Sequence, residues 1–276
     1  MVCDNYGRLT SIALDPIEKK PIAMYMPGSM VLSVGSYGCN LNCSFCQNHS
    51  ISRASADSVP WREVSPRELC DLALKYRSYG NIGVAFTYNE PLVSMEYLLD
   101  CAALLHEKDM KVILVSNGSI SEAAARVVIP HIDAMNIDLK CFTESGYESL
   151  GGSLPQTLRF IELAAGAAPS RPASGDAASC GSASADASCR LASVAVPMTR
   201  PHLELTTLVV PGLSDSPADM RRQAAWIASL DPSIPLHVNR YFPRYHMSAP
   251  ATSVGLVHQL ADIARDYLEN VFVGNC

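Results

Sequence analysis

Short apolar runs alternate with amphipathic segments along most of this chain, and this alternation limits the folds open to it. Runs rich in β-branched residues predict strands at 30–38, 82–89, 111–118, 134–140, 203–212 and 235–243, with a short final strand at 270–275. The segments between them place apolar residues three and four positions apart, as Leu69, Leu72 and Tyr76 do, which predicts helices. Such alternation predicts a parallel sheet with helices outside it.

The number of strand–helix units indicates how the sheet is arranged. Six units are too few for the eight-fold barrel of about 250 residues. We therefore predict an α/β fold that is a partial (β/α)6 TIM-like barrel, with a curved parallel sheet, in preference to a doubly wound sheet. In either arrangement the chemistry belongs at the carboxyl-terminal ends of the strands.

Two stretches lie outside this alternation. Residues 1–30 are predicted to be an N-terminal extension ahead of a barrel domain that spans 31–276. Within that domain, the segment 166–193 has 28 residues, of which 16 are Ala or Ser. Because it has almost no large apolar side chain to offset the entropy lost on ordering, we predict a flexible surface insertion in which Cys180 and Cys189 are incidental thiols.

Charge and hydropathy exclude several classes of protein. The chain has 21 Lys and Arg against 27 Asp and Glu, a formal net charge of −6, which argues against a nucleic-acid partner. No apolar run approaches the ~18 residues that a spanning helix needs, and the N-terminus has no secretory pattern. We expect a cytoplasmic protein with no membrane partner, in which clustered cysteines bind metal or do redox chemistry.

Three cysteines crowd into one loop directly after the first predicted strand. Their spacing is Cys39-x3-Cys43-x2-Cys46. Three thiolates on a tight loop can hold three irons of a [4Fe–4S] cluster and leave the fourth iron open to a substrate or cofactor. Two alternatives are a structural zinc site with His49 as the fourth ligand and an electron-transfer cluster, and both normally have four protein ligands.

With Phe45 just before the last cysteine, this motif resembles that of the radical S-adenosylmethionine (radical SAM) superfamily, whose partial barrel also matches the alternation. More narrowly, the chain resembles enzymes related to pyruvate formate-lyase activating enzymes, and best the subgroup called AmmeMemoRadiSam system radical SAM enzymes. The segments that carry this resemblance are DPIEKKP at 15–21, PGS at 27–29, GCNLNCSFCQN at 38–48, TYNEP at 87–91, VSNG at 115–118, NIDLK at 136–140 and NRYFPRY at 239–245.

The resemblance implies two cofactors, a [4Fe–4S] cluster bound by Cys39, Cys43 and Cys46 and a SAM molecule that chelates its open iron. The residues that it implies for cofactor binding are Phe45, Gln47, Asn89, Glu90, Asn117, Asp138 and Lys140. Phe45 would contact the adenine, and Glu90 would accept from the ammonium group of SAM. Structural alternatives stay open: Glu90 could cap a helix and Asn117 could form a turn. Asp138 and Lys140 could be a strand-end ion pair.

The same resemblance implies an oxidoreductase that cleaves SAM reductively to a 5′-deoxyadenosyl radical, which abstracts a hydrogen from the substrate. An electron donor such as flavodoxin or ferredoxin would be its partner, and the substrate could be a glycine of a glycyl radical enzyme. The alternatives are a small molecule or another protein as substrate, and a zinc- or cluster-stabilised interaction module that is not an enzyme.

Residues after the sixth predicted strand are candidates for substrate contact, because substrate should enter at that end of the barrel. These are Arg240, Tyr241 and Arg244. Two histidines in the same region, His237 and His246, are predicted to be structural.

Overall fold

An eight-stranded sheet organises the computed structural model, which describes residues 4–166 and 200–276. The eight strands of this sheet are β2 (Ser11–Pro16), β3 (Met30–Gly35), β5 (Asn81–Phe86), β6 (Lys111–Ser116), β7 (Ala134–Asp138), β8 (His202–Val209), β9 (Leu236–Arg240) and β10 (Val271–Gly274). Two further short strands, β1 (Arg8–Leu9) and β4 (Arg62–Glu63), pair with each other in a separate two-stranded sheet. The predicted Ala/Ser-rich insertion, from residue 167 onward, lies outside the described residues, as do its two cysteines.

Helices fill the connections between the parallel strands. They are α1 (His49–Ser52), α2 (Pro66–Lys75), α3 (Met95–Glu107), α4 (Glu122–Val128), α5 (Glu144–Ser149), α6 (Leu154–Ala164), α7 (Pro217–Leu230) and α8 (Val254–Arg265). Six of them begin at a Ser or Thr whose side-chain oxygen accepts a hydrogen bond from the third backbone amide beyond it, which satisfies a donor that the helix leaves free. These residues are Ser65, Thr143, Ser121, Ser153, Ser216 and Ser253.

The strand order in the large sheet is β10-β9-β8-β7-β6-β5-β3-β2. All neighbouring pairs are parallel except β2 with β3. Side chains from β7, β8 and β9 line one cavity together with residues that follow β3 and β5. Strands at the two sides of the sheet therefore face the same space, which shows that the sheet curves. This confirms the predicted partial barrel of parallel strands with helices outside it.

The two faces of the sheet have different partners. The outer face is apolar and packs under the helices, with Val112, Leu114 and Ile137 among its fully buried residues. The inner face is polar toward the carboxyl ends of the strands, where the cavity lies. Among the described residues, no helix is both long enough and apolar enough to cross a membrane.

The segment before residue 31, for which the sequence predicts no element, is part of the barrel. Its strand β2 pairs antiparallel with β3 along the whole length of both strands. The chain then crosses the inner face, where Ile17 and Ile22 are fully buried against Ile113 and Ala134. These contacts lie on the amino-terminal side of the cavity-lining positions of the same strands, so the N-terminal segment fills the narrow apolar end of the barrel.

Strands β5 and β6 pack closely at Gly83, where a Cβ atom would lie 1.9 Å from the backbone oxygen of Lys111 on the neighbouring strand. Backbone cannot move aside as a flexible side chain can. We expect Gly83→Ala to lower the free energy of unfolding by at least about 2 kcal/mol, as measured by denaturant unfolding.

The matched control is Gly255→Ala in α8, where a Cβ would meet nothing within 4 Å. This variant should be as stable as the wild type or slightly more stable, since Ala loses less entropy than Gly in a helix. Equal stability of the two variants would contradict the strand packing described above.

Candidate functional site

A cavity of about 670 Å³ opens at the carboxyl-terminal side of the parallel strands. This volume lies within the roughly 300–1,000 Å³ typical of small-molecule sites. Its walls come from four regions: the cysteine loop after β3, the loops after β5, β6 and β7, the inner faces of β6 to β10, and the N-terminal segment. Representative lining residues are Cys39, Glu90, Asn117, Lys140, His237 and Lys20.

The three clustered cysteines all line this cavity as free, partly exposed thiols. Burial raises the pKa of Cys39 to about 11, against the effect of the Leu41 amide, which donates to its sulfur at 3.4 Å. Burial also raises the pKa of Cys43, while the charge of Lys140 opposes that shift. A bound metal deprotonates a coordinating thiol, and three thiolates on one loop are a donor set that fits an iron–sulfur cluster.

The cysteine loop is held in place by its neighbours. The Asn42 amide donates to the Leu150 carbonyl at 2.7 Å, and the His246 amide donates to the Ser44 carbonyl at 2.9 Å. The predicted alternative fourth zinc ligand, His49, places Nδ1 3.2 Å from the Cys46 carbonyl oxygen. Its ring stacks on Tyr245 at 4.6 Å between centroids. The described contacts therefore engage the His49 ring with the loop and with an aromatic neighbour.

Glu90 connects the ends of two strands. Its side chain is 2% exposed and accepts hydrogen bonds from the Ser116 hydroxyl at 2.7 Å, the Asn117 amide at 2.8 Å and the Leu92 amide at 3.0 Å. Burial raises its pKa, and these donors work in the opposite direction. Capping of the 3-10 turn at 91–94, the structural alternative for Glu90, is thus observed. The contact with SAM stays a prediction.

Asp138 and Lys140 both line the cavity and form an ion pair, with 2.8 Å between Oδ2 and Nζ. Although burial alone would lower the pKa of Lys140, the charge of Asp138 raises it overall, so the ammonium is retained. The Tyr147 hydroxyl accepts from the Lys140 amide at 3.2 Å and fixes the chain just beyond β7. The pair is therefore a charged, ordered wall of the cavity close to the cysteines.

The other residues implied in cofactor binding also lie in the cavity wall. Phe45 is 6% exposed and packs in a small apolar cluster with Leu150 and Val210. Gln47 lines the cavity. The side-chain amide of Asn89 is hydrogen-bonded to the backbone: its oxygen accepts from the Ser36 amide at 2.9 Å, and its nitrogen donates to neighbouring carbonyls. The Asn117 side chain donates to Asn40 Oδ1 at 2.9 Å. The seven residues thus surround one space together with the cysteines.

The predicted substrate residues after β9 are not brought into this space. Tyr241 is 1% exposed, and its hydroxyl lies 3.1 Å from the Met247 carbonyl oxygen. Arg240 Nε donates to the Thr252 carbonyl at 2.7 Å. Arg244 is exposed and is not part of the cavity wall. Alternate residues of a strand face opposite sides of a sheet, and it is Asn239 that lines the cavity. These positions do not support the predicted substrate contacts.

The motif at 15–21, to which the sequence analysis assigns no role, supplies an ionic cluster beside the cavity. Asp15 accepts from Lys20 Nζ at 2.9 Å, Lys19 Nζ at 3.0 Å and the Tyr88 hydroxyl at 2.9 Å. Burial would raise the pKa of Asp15, but these donors lower it well below its ordinary value. Burial and the bond to Asp15 raise the pKa of Tyr88 to about 12. This cluster joins the N-terminal segment to the loop after β5.

Tyr88 holds an unusual backbone conformation within that loop. Its φ is +73°, in the left-handed region that favours glycine. Two contacts fix it: the hydroxyl bond to Asp15 and a hydrogen bond from Asn48 Nδ2 to the Tyr88 carbonyl at 2.7 Å. Asn48 belongs to the cysteine motif, so Tyr88 connects that motif with the N-terminal segment. The DPIEKKP motif was the signal in the sequence that could have pointed to this cluster.

A second buried carboxylate, Glu204, lies on the inner face of β8, two residues before the cavity-lining Thr206. It is 0% exposed and accepts from the Ala23 amide at 3.0 Å and the Met24 amide at 2.8 Å. His202 and His237 lie 2.8 and 2.6 Å from its oxygens. Burial would raise the pKa of Glu204, but these four partners lower it to about 2. The predicted structural role of His237 is thus matched by this contact, although the ring also lines the cavity.

The fold and this cavity define a class of protein, and comparison with known proteins identifies it. The radical SAM superfamily model matches residues 33–169, about half of the chain, which includes all three cysteines. The chain belongs to the radical SAM superfamily. Members of this superfamily are generally enzymes and use a [4Fe–4S] cluster and SAM.

Two curated relatives and one solved structure show the range of this similarity. An uncharacterised protein of Methanocaldococcus jannaschii is 28% identical over 273 residues, 98% of this chain and 71% of that protein. The pyruvate formate-lyase-activating enzyme of Clostridium pasteurianum is 25% identical over 118 residues, 42% of this chain and 48% of that enzyme. The structure of Streptococcus suis SuiB bound to S-adenosylmethionine has a TM-score of 0.58 at 11% identity, over 89% of this chain and 52% of SuiB. This last likeness shows the fold.

Glu204→Gln should lower the free energy of unfolding at neutral pH by about 2–3 kcal/mol, because a neutral amide cannot accept from four donors as a carboxylate does. The folded pKa of Glu204, about 2, lies below its ordinary 4.5. Its stabilisation is therefore present above pH 4.5 and is lost as the pH falls toward 2. Denaturant unfolding across this pH range should show that the difference in free energy of unfolding between wild type and variant decreases as the pH falls.

The control is Asp262→Asn on the outside of α8, an exposed partner of Arg265. Exposed ion pairs contribute little to stability, so this variant should follow the wild type at every pH. A gap between Glu204→Gln and wild type that stays constant down to pH 2 would contradict the ionised state of Glu204.

Proposed function

We propose that this protein is a radical SAM enzyme that holds a [4Fe–4S] cluster on Cys39, Cys43 and Cys46 and abstracts hydrogen from a substrate. The observation that carries this proposal is the convergence of three free thiols with the Asp138–Lys140 pair on one cavity. When bound, the cluster supplies the electron that splits SAM into methionine and a 5′-deoxyadenosyl radical. The protein supplies binding, orientation and shelter from water.

The residues of the chain divide this work between them. Lys140 places an ammonium, and Asp138 a carboxylate, where the charged ends of an amino acid can form charge-assisted hydrogen bonds. Phe45 offers an apolar ring beside the cysteines on which a purine can pack. Glu90 acts by tying the ends of β5 and β6 together, which fixes the position of Asn117. A wall of ordered side chains holds the reacting groups in place, and that is the main protein contribution to such a reaction.

For the substrate, we propose a glycine of a partner glycyl radical enzyme. Support comes from a relative in Clostridium pasteurianum, a pyruvate formate-lyase-activating enzyme that aligns with 42% of this chain. The partner in reduction would be a flavodoxin or ferredoxin, and the expected compartment is the cytoplasm. The competing proposal within the same chemistry is hydrogen abstraction from a small molecule or another protein.

Cys43→Ala tests the cluster assignment. After anaerobic reconstitution with iron and sulfide, the wild type should bind about four irons per chain. With dithionite and SAM it should release 5′-deoxyadenosine. The variant loses one of three thiolate ligands, so iron content and 5′-deoxyadenosine release should both fall to background.

The matched control is Cys276→Ala, which removes an exposed thiol that is not part of the cavity wall. It should keep wild-type iron content and SAM cleavage. If the Cys43→Ala protein still cleaved SAM, the ligand assignment would be wrong. A wild-type protein that bound zinc in preference to a cluster would favour the non-enzymatic alternative.

Asp138→Asn tests the assignment of the ion pair to SAM binding. Removing the charge of Asp138 should weaken SAM binding to the reconstituted protein about tenfold or more, the loss expected for one hydrogen bond to a charged group. Isothermal titration calorimetry measures this directly, and iron content should stay unchanged. Asp219→Asn, which alters an ion pair of α7, serves as control and should bind SAM as the wild type does. Equal SAM affinity in Asp138→Asn and wild type would remove this residue from the site.

A further inference from the structure

Two buried polar atoms in the cavity wall have no hydrogen-bond partner among the described residues. They are Asn136 Oδ1 and Thr206 Oγ1. Asn136 is 0% exposed and Thr206 is 5% exposed, and both line the cavity. Buried polar atoms are nearly always hydrogen-bonded, so those that are not need an explanation. Their place in the cavity wall indicates that a ligand supplies the missing partners.

The orientation of the Asn136 amide follows from its other contact. Its Nδ2 donates to the Pro21 carbonyl oxygen at 2.6 Å. A carbonyl oxygen can only accept, so the nitrogen must face Pro21, and the oxygen is the atom left for a ligand. Asn136 therefore offers an acceptor to the cavity, whereas the Thr206 hydroxyl can either donate or accept.

His237 adds a third polar side chain to the same surface. Glu204 receives N–H groups from two backbone amides and the nitrogens of two histidines, which is the environment of an ionised carboxylate. Since a carboxylate only accepts, His237 Nε2 carries the proton of this hydrogen bond, and the ring forms part of the cavity wall. The ring is stacked on Phe272 at 5.1 Å, which fixes its plane.

The register of the sheet places these residues beside the proposed SAM-binding pair. Asp138 on β7 is opposite Thr206 on β8, and Thr206 is opposite His237 on β9. Neighbouring strands lie about 4.8 Å apart, so Thr206 and His237 follow Asp138 in a row across the sheet. Asn136 precedes Asp138 by two residues, on the same face of β7. The row thus begins where the proposed SAM site ends.

We infer that Asn136, Thr206 and His237 form a substrate subsite that binds an uncharged amide, such as a peptide unit, next to SAM. An amide presents an N–H donor for the Asn136 acceptor and a carbonyl that can accept from the Thr206 hydroxyl, while the His237 ring lies beside Thr206 in the same row. The Glu204 carboxylate, two residues before Thr206 on the same face of β8, disfavours an anion. This inference rests on the proposed function and gives its substrate a chemical class.

The experiment measures binding of N-acetylglycinamide to the reconstituted, SAM-loaded protein without reductant, by ligand-observed NMR titration. Thr206→Val removes the hydroxyl and keeps the shape of the side chain. It should weaken binding about fivefold, the loss expected for one neutral hydrogen bond, and it should leave iron content, SAM affinity and thermal stability unchanged. Thr206→Ser, which keeps the hydroxyl, should bind within about twofold of wild type.

Thr207→Val is the matched control on the opposite face of the same strand. The Thr207 hydroxyl donates to the Leu139 carbonyl at 3.1 Å and accepts from Gln223 Nε2 at 2.6 Å. Its loss should lower thermal stability, because two buried partners are left unpaired, and should leave amide binding intact. The opposite responses of two adjacent threonines would separate ligand contact from folding.

Three results would overturn the subsite. They are no binding of N-acetylglycinamide to wild type, equal binding by wild type and Thr206→Val, and a loss of SAM affinity in Thr206→Val, which would assign the row to SAM. The proposed function fails by a different readout, the lack of 5′-deoxyadenosine release by wild type. In that case the same titration without SAM still decides whether the row binds an amide.

Discussion

The parallel alignment of the strands is the constraint on which the site depends. Because β3 and β5 to β10 all run in one direction, the loops that follow them meet at one side of the sheet. Cys39, Asn117 and Asn239 are far apart in sequence and yet line a single cavity. No local motif could assemble such a set. The three thiols, the Asp138–Lys140 ion pair and the polar residues on the inner face of β7 to β9 become neighbours only when the whole sheet has formed.

Two buried carboxylates make this cavity stiff. Glu90 accepts hydrogen bonds from the ends of β5 and β6, and Glu204 accepts from the N-terminal segment and from β9. Each replaces several water contacts with protein donors, so each fixes elements that the sheet ladder alone would leave free to shift. A site whose walls are held in this way is preorganised before any ligand arrives. Both of these carboxylates are hidden from solvent.

Much of the barrel could be predicted from sequence, because periodicity reports which side of an element is buried. Each of the seven predicted strands has a counterpart in the sheet, and the Asp138 and Lys140 positions are at the predicted strand end. Strand β2 was missed, since its pairing with β3 is a long-range contact that local pattern does not encode. The contacts of Tyr241 and Thr206 depend on the direction of single side chains, which strand position alone leaves open.

The N-terminal segment has a consequence for how molecules reach the interior. Ile17 and Ile22 fill the apolar end of the barrel, and the backbone around Met24 is clamped to Glu204. That end of the barrel is thereby closed, so ligands can reach the interior only from the opposite, polar side, where the cavity opens. Under the proposed function, cofactor and substrate would enter through the same opening, so a nucleotide still bound near Lys140 would block the entry of the next molecule.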